Sequence, residues 1–207
     1  MAETPVPIHL DGALLVVDKP AGLLAVPGRG DAGRDNMLIR LLAHHAGLCV
    51  VHRLDMATSG LMVFARDGEA QRRLSRAFAE RRVDKRYAAI VEGRLAHDEG
   101  EIDAPLAADW PQRPRQVVDR EHGKPSRTRW RVLERSADCT RIELEPLTGR
   151  THQLRVHLQS IGHPIRGDAL YAPAPLGAPR LMLHATALAF AHPLSGEALA
   201  WTSPAPF

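Results

Sequence analysis

Residues 50–66 read VVHRLDMATSGLMVFAR, and an imidazole, a guanidinium and a carboxylate (His52, Arg53 and Asp55) fall within this stretch in close succession, followed by Thr58, Ser59 and Gly60. The flanking runs, Val50-Val51 and Leu61-Met62-Val63-Phe64, are apolar and partly β-branched, which predicts two buried strands with a polar turn between them. An ionised Asp in such a turn costs several kcal/mol unless it is paired. Two readings follow from the residues alone: a solvated turn with an internal ion pair, or a carboxylate held in place for chemistry.

The elements that must position these residues can be read along the chain. Ala13 to Val17 predicts a buried strand stopped by Asp18-Lys19-Pro20, with turns at Pro20–Gly22 and Pro27-Gly28. Asp35 is placed to cap a helix over 36–46, with Leu38, Leu41 and Leu42 on one face, His44 and His45 at its negative end and Gly47 terminating it. Asp67 is placed to cap a second helix running to about Arg81, with Ala70, Leu74, Ala77 and Phe78 inward and the arginines outward. Arg86 to Val91 reads as a strand carrying Tyr87, ordinarily a core residue. Glu101–Leu106 and Arg115–Asp119 read as short strands in a proline-punctuated region. Arg127, Arg129 and Arg131 alternate with Thr128, Trp130 and Val132, which places three cations on one sheet face. Arg141 to Leu147 leads into residues 148–157, TGRTHQLRVH, which should open a helix ending at Gly162 with Leu154, Leu158 and Ile161 inward. Strands at Leu181–Ala185 and Ala198–Thr202 follow. Many strands, few helices and no regular alternation of the two predict an α+β fold with a largely antiparallel sheet.

A chain of 207 residues is one domain by length, and 44% hydrophobic with 25% charged residues is globular rather than disordered. No apolar run reaches the roughly 20 residues of a membrane span, and the first ten residues, with Glu3 and two prolines, do not form a leader. Cys49 and Cys139 have no metal or redox spacing, which indicates a reducing, cytoplasmic compartment. His152 and His157 are five apart, not the helical spacing of a zinc pair, and no HExxH, Walker or GxGxxG pattern occurs, so no metal or cofactor is expected. The formal charge is only +3, but arginines crowd residues 72–86 and 113–131. Arg matches phosphate in a bidentate fork, so the expected partner is the backbone of a nucleic acid.

His52-Arg53-Leu54-Asp55 with Thr58-Ser59-Gly60 resembles the signature of the RluA family of RNA pseudouridine synthases. Four further segments are similar to that family: LLVVDKPAGLLAVPG from Leu14, the Lys85-Arg86-Tyr87-Ala88 run, TGRTHQLRVH from Thr148, and Gly162-His163-Pro164-Ile165 with Gly167-Asp168. The family matches run from residue 14 to about 193. Asp18 stands where the family usually has Asn, a departure expected to be remote from the chemistry. The resemblance implies the pseudouridine synthase fold: a long, mixed, mostly antiparallel sheet with flanking helices and a central active-site cleft. It also implies one catalytic domain over residues 1–207, without the N-terminal S4 domain of some relatives.

The implied reaction detaches uracil from its ribose, turns it and rejoins it through carbon. In this resemblance Asp55 is the catalytic carboxylate, Arg155 keeps it ionised, and Tyr87 stacks on the uracil. Leu183 lines the pocket, Arg53 fills the space left by the flipped base, His52 with Thr58 and Ser59 holds the turn, and Arg150 contributes to RNA binding. Met56-Ala57, Asp109-Trp110-Pro111 and Arg113-Pro114 are similar to short family members that modify uridine 32 of tRNA anticodon loops and uridine 746 of 23S ribosomal RNA. The expected partner is therefore structured RNA, a tRNA anticodon stem-loop or a 23S hairpin, with no membrane and no obligate protein partner. The rival readings are a related synthase acting on another site, a glycosylase that releases the base, and a non-catalytic RNA-binding protein. The presence of Asp55, Tyr87 and Arg155 together argues against the last.

Overall fold

The computed structural model describes residues 5–28, 33–174 and 177–207. The reading of the first ten residues as no leader falls partly on residues 1–4, outside the described residues. In chain order the elements are β1 (His9–Leu10), β2 (Leu14–Lys19), α1 (Met37–Leu42), β3 (Cys49–Val50), β4 (Ser59–Ala65), α2 (Gly68–Ala79), β5 (Asp84–Glu92), β6 (Glu99–Asp103), β7 (Leu106–Ala108), β8 (Gln116–Val118), β9 (Arg127–Arg135), β10 (Cys139–Pro146), α3 (Gln153–Ser160), β11 (Leu183–Ala191) and β12 (Ala198–Thr202). They fall into two compact units: residues up to 85 with 184–206, and residues 86–183 with 207. Among the described residues no helix is long and apolar enough to cross a membrane.

In the first unit β4 is the central strand, and every one of its residues is buried. It pairs antiparallel with β2, from Leu14 opposite Ala65 to Lys19 opposite Gly60, and parallel with β11 through Ser59 and Gly60. A strand buried on both faces loses the apolar–polar alternation, and Leu61 to Phe64 accordingly reads as one apolar run. One face carries Leu14, Val16, Leu61, Val63, Leu188 and Phe190, against which α2 packs Ala70, Leu74 and Ala77. Each large aliphatic side chain buried there contributes about 1.5–3 kcal/mol. As the sequence predicts, Asp67 caps α2, its side chain accepting from the Ala70 N–H at 2.7 Å.

The first helix differs from its expectation. It is shorter, and its cap is Asn36 rather than Asp35. The site is buried and needs both halves of an amide: Asn36 Oδ1 accepts from the Ile39 N–H at 3.0 Å, while Nδ2 donates to the Gly33 and Arg34 carbonyls. A carboxylate cannot donate, so Asp35 turns outward and pairs with Arg40.

The second unit is an antiparallel sheet in the order β5-β10-β9-β6, with β7 and β8 forming a separate hairpin. Thr128 and Trp130 are buried while Arg127, Arg129 and Arg131 are exposed, so the predicted alternation is present. The arginine face is paired across strands, Arg127 and Arg129 with Glu101 and Arg131 with Glu143. This second arginine tract is therefore less cationic than its composition suggests. Helix α3 begins at Gln153 rather than at Thr148, and Ile161 is exposed instead of facing the core.

Gly60, the last residue of the 52–60 motif, has φ of +113°. A Cβ there would stand 2.8 Å from Ala185 Cα and closer still to its backbone N and O. Gly60→Ala should therefore separate β4 from β11, lowering stability by about 2–4 kcal/mol through backbone strain and overpacking together. A shift of the urea midpoint of under half that size would show that the strands can move apart cheaply.

Candidate active site

Strands β3 and β4 run antiparallel, with Val50 opposite Phe64, so the segment between them leaves and re-enters the sheet side by side. Thr58 N–H donates to the Asp55 carbonyl at 3.1 Å and closes the turn. Leu54 points into the core, Arg53 and Met56 are exposed, and Asp55 is half-buried between them. The turn is held from behind by Lys19, which is 0% exposed. Its ammonium donates to the carbonyls of Pro20 (2.8 Å), Leu23 (2.7 Å) and Met56 (3.1 Å), and Gly22 N–H joins the same Met56 carbonyl at 2.8 Å. A buried cation thus ties the turn at residues 20–23 to the residue after Asp55. The sequence shows a lysine beside a turn and nothing of this role.

His52 is a packing post. Its Nε2 accepts from the Val63 N–H at 3.1 Å, so a neutral ring carries its proton on Nδ1, and the imidazole stacks on Phe78 with centroids 4.6 Å apart. Burial and then the positive charge of Lys85, whose ammonium lies 5.9 Å from the Phe78 ring, push the His52 pKa down to about 3. His52 is therefore a neutral ring at physiological pH, bonded to β4 through Val63 and stacked on Phe78 of α2.

Ser59 begins a buried relay that was not legible in the sequence. Its Oγ lies 2.8 Å from His184 Nδ1, His184 Nε2 lies 3.0 Å from Ser203 Oγ, and Ser203 Oγ–H donates to the Asp18 carboxylate. A carboxylate only accepts, so Ser203 must use its proton on Asp18 and receive one from His184. Nε2 of His184 therefore carries a proton. The Asn-to-Asp departure at residue 18, expected to be remote, ends a hydrogen-bond chain that starts inside the motif.

In the second unit Tyr87 lies half-buried on β5 opposite Leu144, beside Arg86, which pairs with Glu145 at 2.8 Å. Leu183 is buried. Arg150 is exposed, its Nε directed at the Pro125 carbonyl at 3.4 Å. Arg155 lies in α3, whose residues from Gln153 to Leu158 are all buried. Its Nε and Nη2 each donate to Asp168 at 2.7 Å, a bidentate pair with Asp168 0% exposed. Asp168 Oδ1 also accepts from the Leu170 and Tyr171 N–H groups, and the Tyr171 ring lies 5.0 Å from the guanidinium carbon. The start of α3 is fixed by Gln153, whose amide oxygen accepts from the Thr148 hydroxyl and the Arg150 N–H and whose amide nitrogen donates to the Arg127 carbonyl and the Thr128 hydroxyl. Asp168 and Tyr171 are the residues that sequence reasoning left without a role. The available signal was the need of a helix-borne arginine for a counter-ion, and Gly167-Asp168 stands close by in the chain.

Asp168→Asn leaves the Arg155 charge under-compensated in a buried helix and should cost about 3–5 kcal/mol, read from urea unfolding; a loss under about 1 kcal/mol would mean that Arg155 reaches water. For His52 the folded pKa lies below the unfolded value near 6.5, so the unfolded state binds the extra proton. Its contribution is full above about pH 6.5 and is lost as pH falls toward 3. Wild-type stability should therefore decline over that window more steeply than that of His52→Asn, and parallel curves would remove His52 as the cause.

Comparisons with known proteins assign the chain to a family. A family model described as RNA pseudouridylate synthase matches residues 13–160. The chain is 47% identical over 203 residues to the dual-specificity RNA pseudouridine synthase RluA of Escherichia coli strain K12, covering 97% of this chain and 93% of that protein. It is also 47% identical to the RluA of Yersinia pestis, covering 97% and 98%. Among solved structures, human RNA pseudouridylate synthase domain containing 1 superposes with a TM-score of 0.82 at 30% identity, over 98% of this chain and 84% of that one. A second human protein, domain containing 4, gives 0.76 at 27% identity, over 97% and 88%. With its motif turn between β3 and β4 and its mixed, mostly antiparallel α+β architecture, the chain belongs to the RNA pseudouridine synthase family, the isomerases that convert uridine in RNA to pseudouridine.

Proposed function

We propose that this chain acts in the cytoplasm as a single catalytic domain on uridine 32 of tRNA anticodon loops and uridine 746 of 23S ribosomal RNA, with Asp55 as the catalytic carboxylate. The observation that carries the target is the near-full-length likeness to relatives named for dual specificity. The placement of Asp55 supports its role: half-buried, in a turn closed by Thr58 and braced by Lys19, it is rigidly presented and not consumed by the core. A related synthase acting on another tRNA or ribosomal site is the alternative.

In this reading the target uridine leaves the stack, at a cost of a few kcal/mol. Arg53, exposed and two residues before Asp55, takes the vacated space. Tyr87 stacks on the uracil, Leu183 lines the pocket, and Arg150 meets the RNA backbone. Arg155 is the charge partner of Asp55, and its guanidinium plane is set by Asp168 on Nε and Nη2. A planar fork held in this way offers its donors in one orientation, which Lys in its place would not do. Asp55 then acts on the nucleoside while the detached uracil turns and rejoins, so the RNA gains and loses no atoms.

Asp55→Asn should abolish pseudouridine formation while RNA affinity stays within a few-fold, because the lost group acts on the glycosidic bond and not on phosphates. Incubation with total RNA from a deletion strain, with carbodiimide mapping by primer extension, reads activity and target together, and RNA mass separates isomerisation from base release. Retained activity in the variant would remove Asp55 from the chemistry. Pseudouridine at other positions would leave the family intact and overturn the two target sites.

A further inference from the structure

We propose that the tip of the β7–β8 hairpin is a base-stacking contact for RNA, in which Trp110, backed by Arg113, receives an unpaired base of the substrate. The proposal rests on the reading of the chain as an RNA pseudouridine synthase and adds a point at which the substrate RNA is gripped.

Trp110 is 69% exposed although it is among the largest apolar side chains of the protein. The loop that carries it is closely tied: Asp109 N–H donates to the Arg115 carbonyl at 3.0 Å, Gln112 N–H to the Asp109 carbonyl at 3.1 Å, and Arg115 N–H to the Gln112 carbonyl at 3.0 Å. Pro111 and Pro114 fix two further φ angles. A loop with this many internal bonds presents its indole in a defined place. The Arg113 guanidinium carbon lies 3.3 Å from the centroid of the Trp110 ring, so one face carries a stacked cation. A flat aromatic surface with a positive charge behind it suits a nucleobase and the phosphate attached to it.

The stem of the hairpin is anchored where the position of the tip matters. Gln116 N–H donates to Tyr171 Oη at 2.7 Å, and Tyr171 Oη lies 2.8 Å from His152 Nδ1. The Tyr171 ring has two arginine groups near it, with Arg115 at 5.3 Å and Arg155 at 5.0 Å. Leu106 packs with Val156 of α3 and with Tyr171, and Val118 packs against the same cluster. The tip is therefore coupled through one tyrosine to the arginine paired with Asp168. The occupant is a base and not an apolar protein face, because Trp110 has Asp109, Pro111, Gln112 and Arg113 around it in the loop. The only other exposed large hydrophobic residue on the hairpin is Val117, at 37%. The base must be unpaired, since bases within a duplex already have both faces covered.

The test uses the whole chain with two RNA probes: a stem-loop bearing one target uridine in its loop, and the same stem as uninterrupted duplex. The stem-loop should quench tryptophan fluorescence in the wild type and far less in Trp110→Phe, which keeps the stacking ring but not the reporter. Trp110→Ala should raise Kd and KM for the stem-loop by about ten- to a hundred-fold, the range of one base–aromatic stack. Its kcat at saturating RNA should stay within about twofold, and Trp110→Phe should recover most of the affinity. Affinity for the duplex should change little. Unaltered Kd and KM in Trp110→Ala, or a fall in kcat with KM unchanged, would overturn the stacking contact. If the wild type binds the stem-loop but makes no pseudouridine, the reading of the target fails, and the fluorescence and affinity of the variants still decide the contact.

Discussion

A guanidinium that is only 5% exposed, in a helix buried from Gln153 to Leu158, is costly unless a carboxylate is brought to it, and much of the second unit serves that requirement. Asp168 meets Arg155 edge to edge and is itself held by two backbone N–H groups from residues 170 and 171. The chain approaches Asp168 through Gly167, where φ is +72° and a Cβ would run into the Arg180 carbonyl. Past Ala169 and Leu170, the chain then delivers the ring of Tyr171 to the same guanidinium. The hydroxyl of that tyrosine reaches Gln116 and His152, so that one ion pair fixes the segment around 168–171, the start of α3 and the stem of the β7–β8 hairpin.

The first unit solves a similar problem with the other kind of cation. Lys19 is as deeply buried as Asp168, and its ammonium gathers three backbone carbonyls from two separate stretches of chain. The difference follows from shape. An ammonium distributes three donors around a point and can collect loops that arrive from different directions, whereas a guanidinium is a plane and selects a single carboxylate edge. At residue 19 the task is to bind two turns together, and at residue 155 it is to hold a flat donor array in one orientation. Exchanging the two residue types would leave hydrogen-bonding groups unmet at each site.

The strands flanking the motif, the Asp67 cap with the inward face of α2, and the last strand at Ala198–Thr202 were legible because each depends on neighbours within a few positions. What was missed depends on distance along the chain or on burial. Ser59 finds His184 125 residues away, and Arg155 finds Asp168 13 residues away, beyond any local periodicity. Asp35 and Asn36 are equally good caps on sequence grounds, and the decision came from buried carbonyls that only an amide can satisfy. Ile161 fits the helical period of Leu154 and Leu158 but stands one residue past the end of α3, where the face no longer turns inward. The motif residues could be named from the sequence, but the positions of the groups bracing them could not.

The ion pairs also bear on how RNA is held. Arg73 is tied to Glu69, and Arg76 and Arg82 share Glu80, so much of the positive charge expected on α2 already has a partner, as it does on β9. Charge-assisted bonds from these arginines hold the carboxyls of Glu80 and Glu101 below their ordinary pKa, so both remain ionised near neutrality. Such surface pairs add little to stability, but a phosphate approaching one of these arginines must compete with a glutamate already in place. Fewer counter-ions are then released per arginine than on a bare basic surface, and the salt dependence of binding should reflect fewer phosphates than there are arginines. With phosphate attraction muted, recognition must rest more on features of the RNA that charge does not report: the shape of the loop and the faces of its unpaired bases.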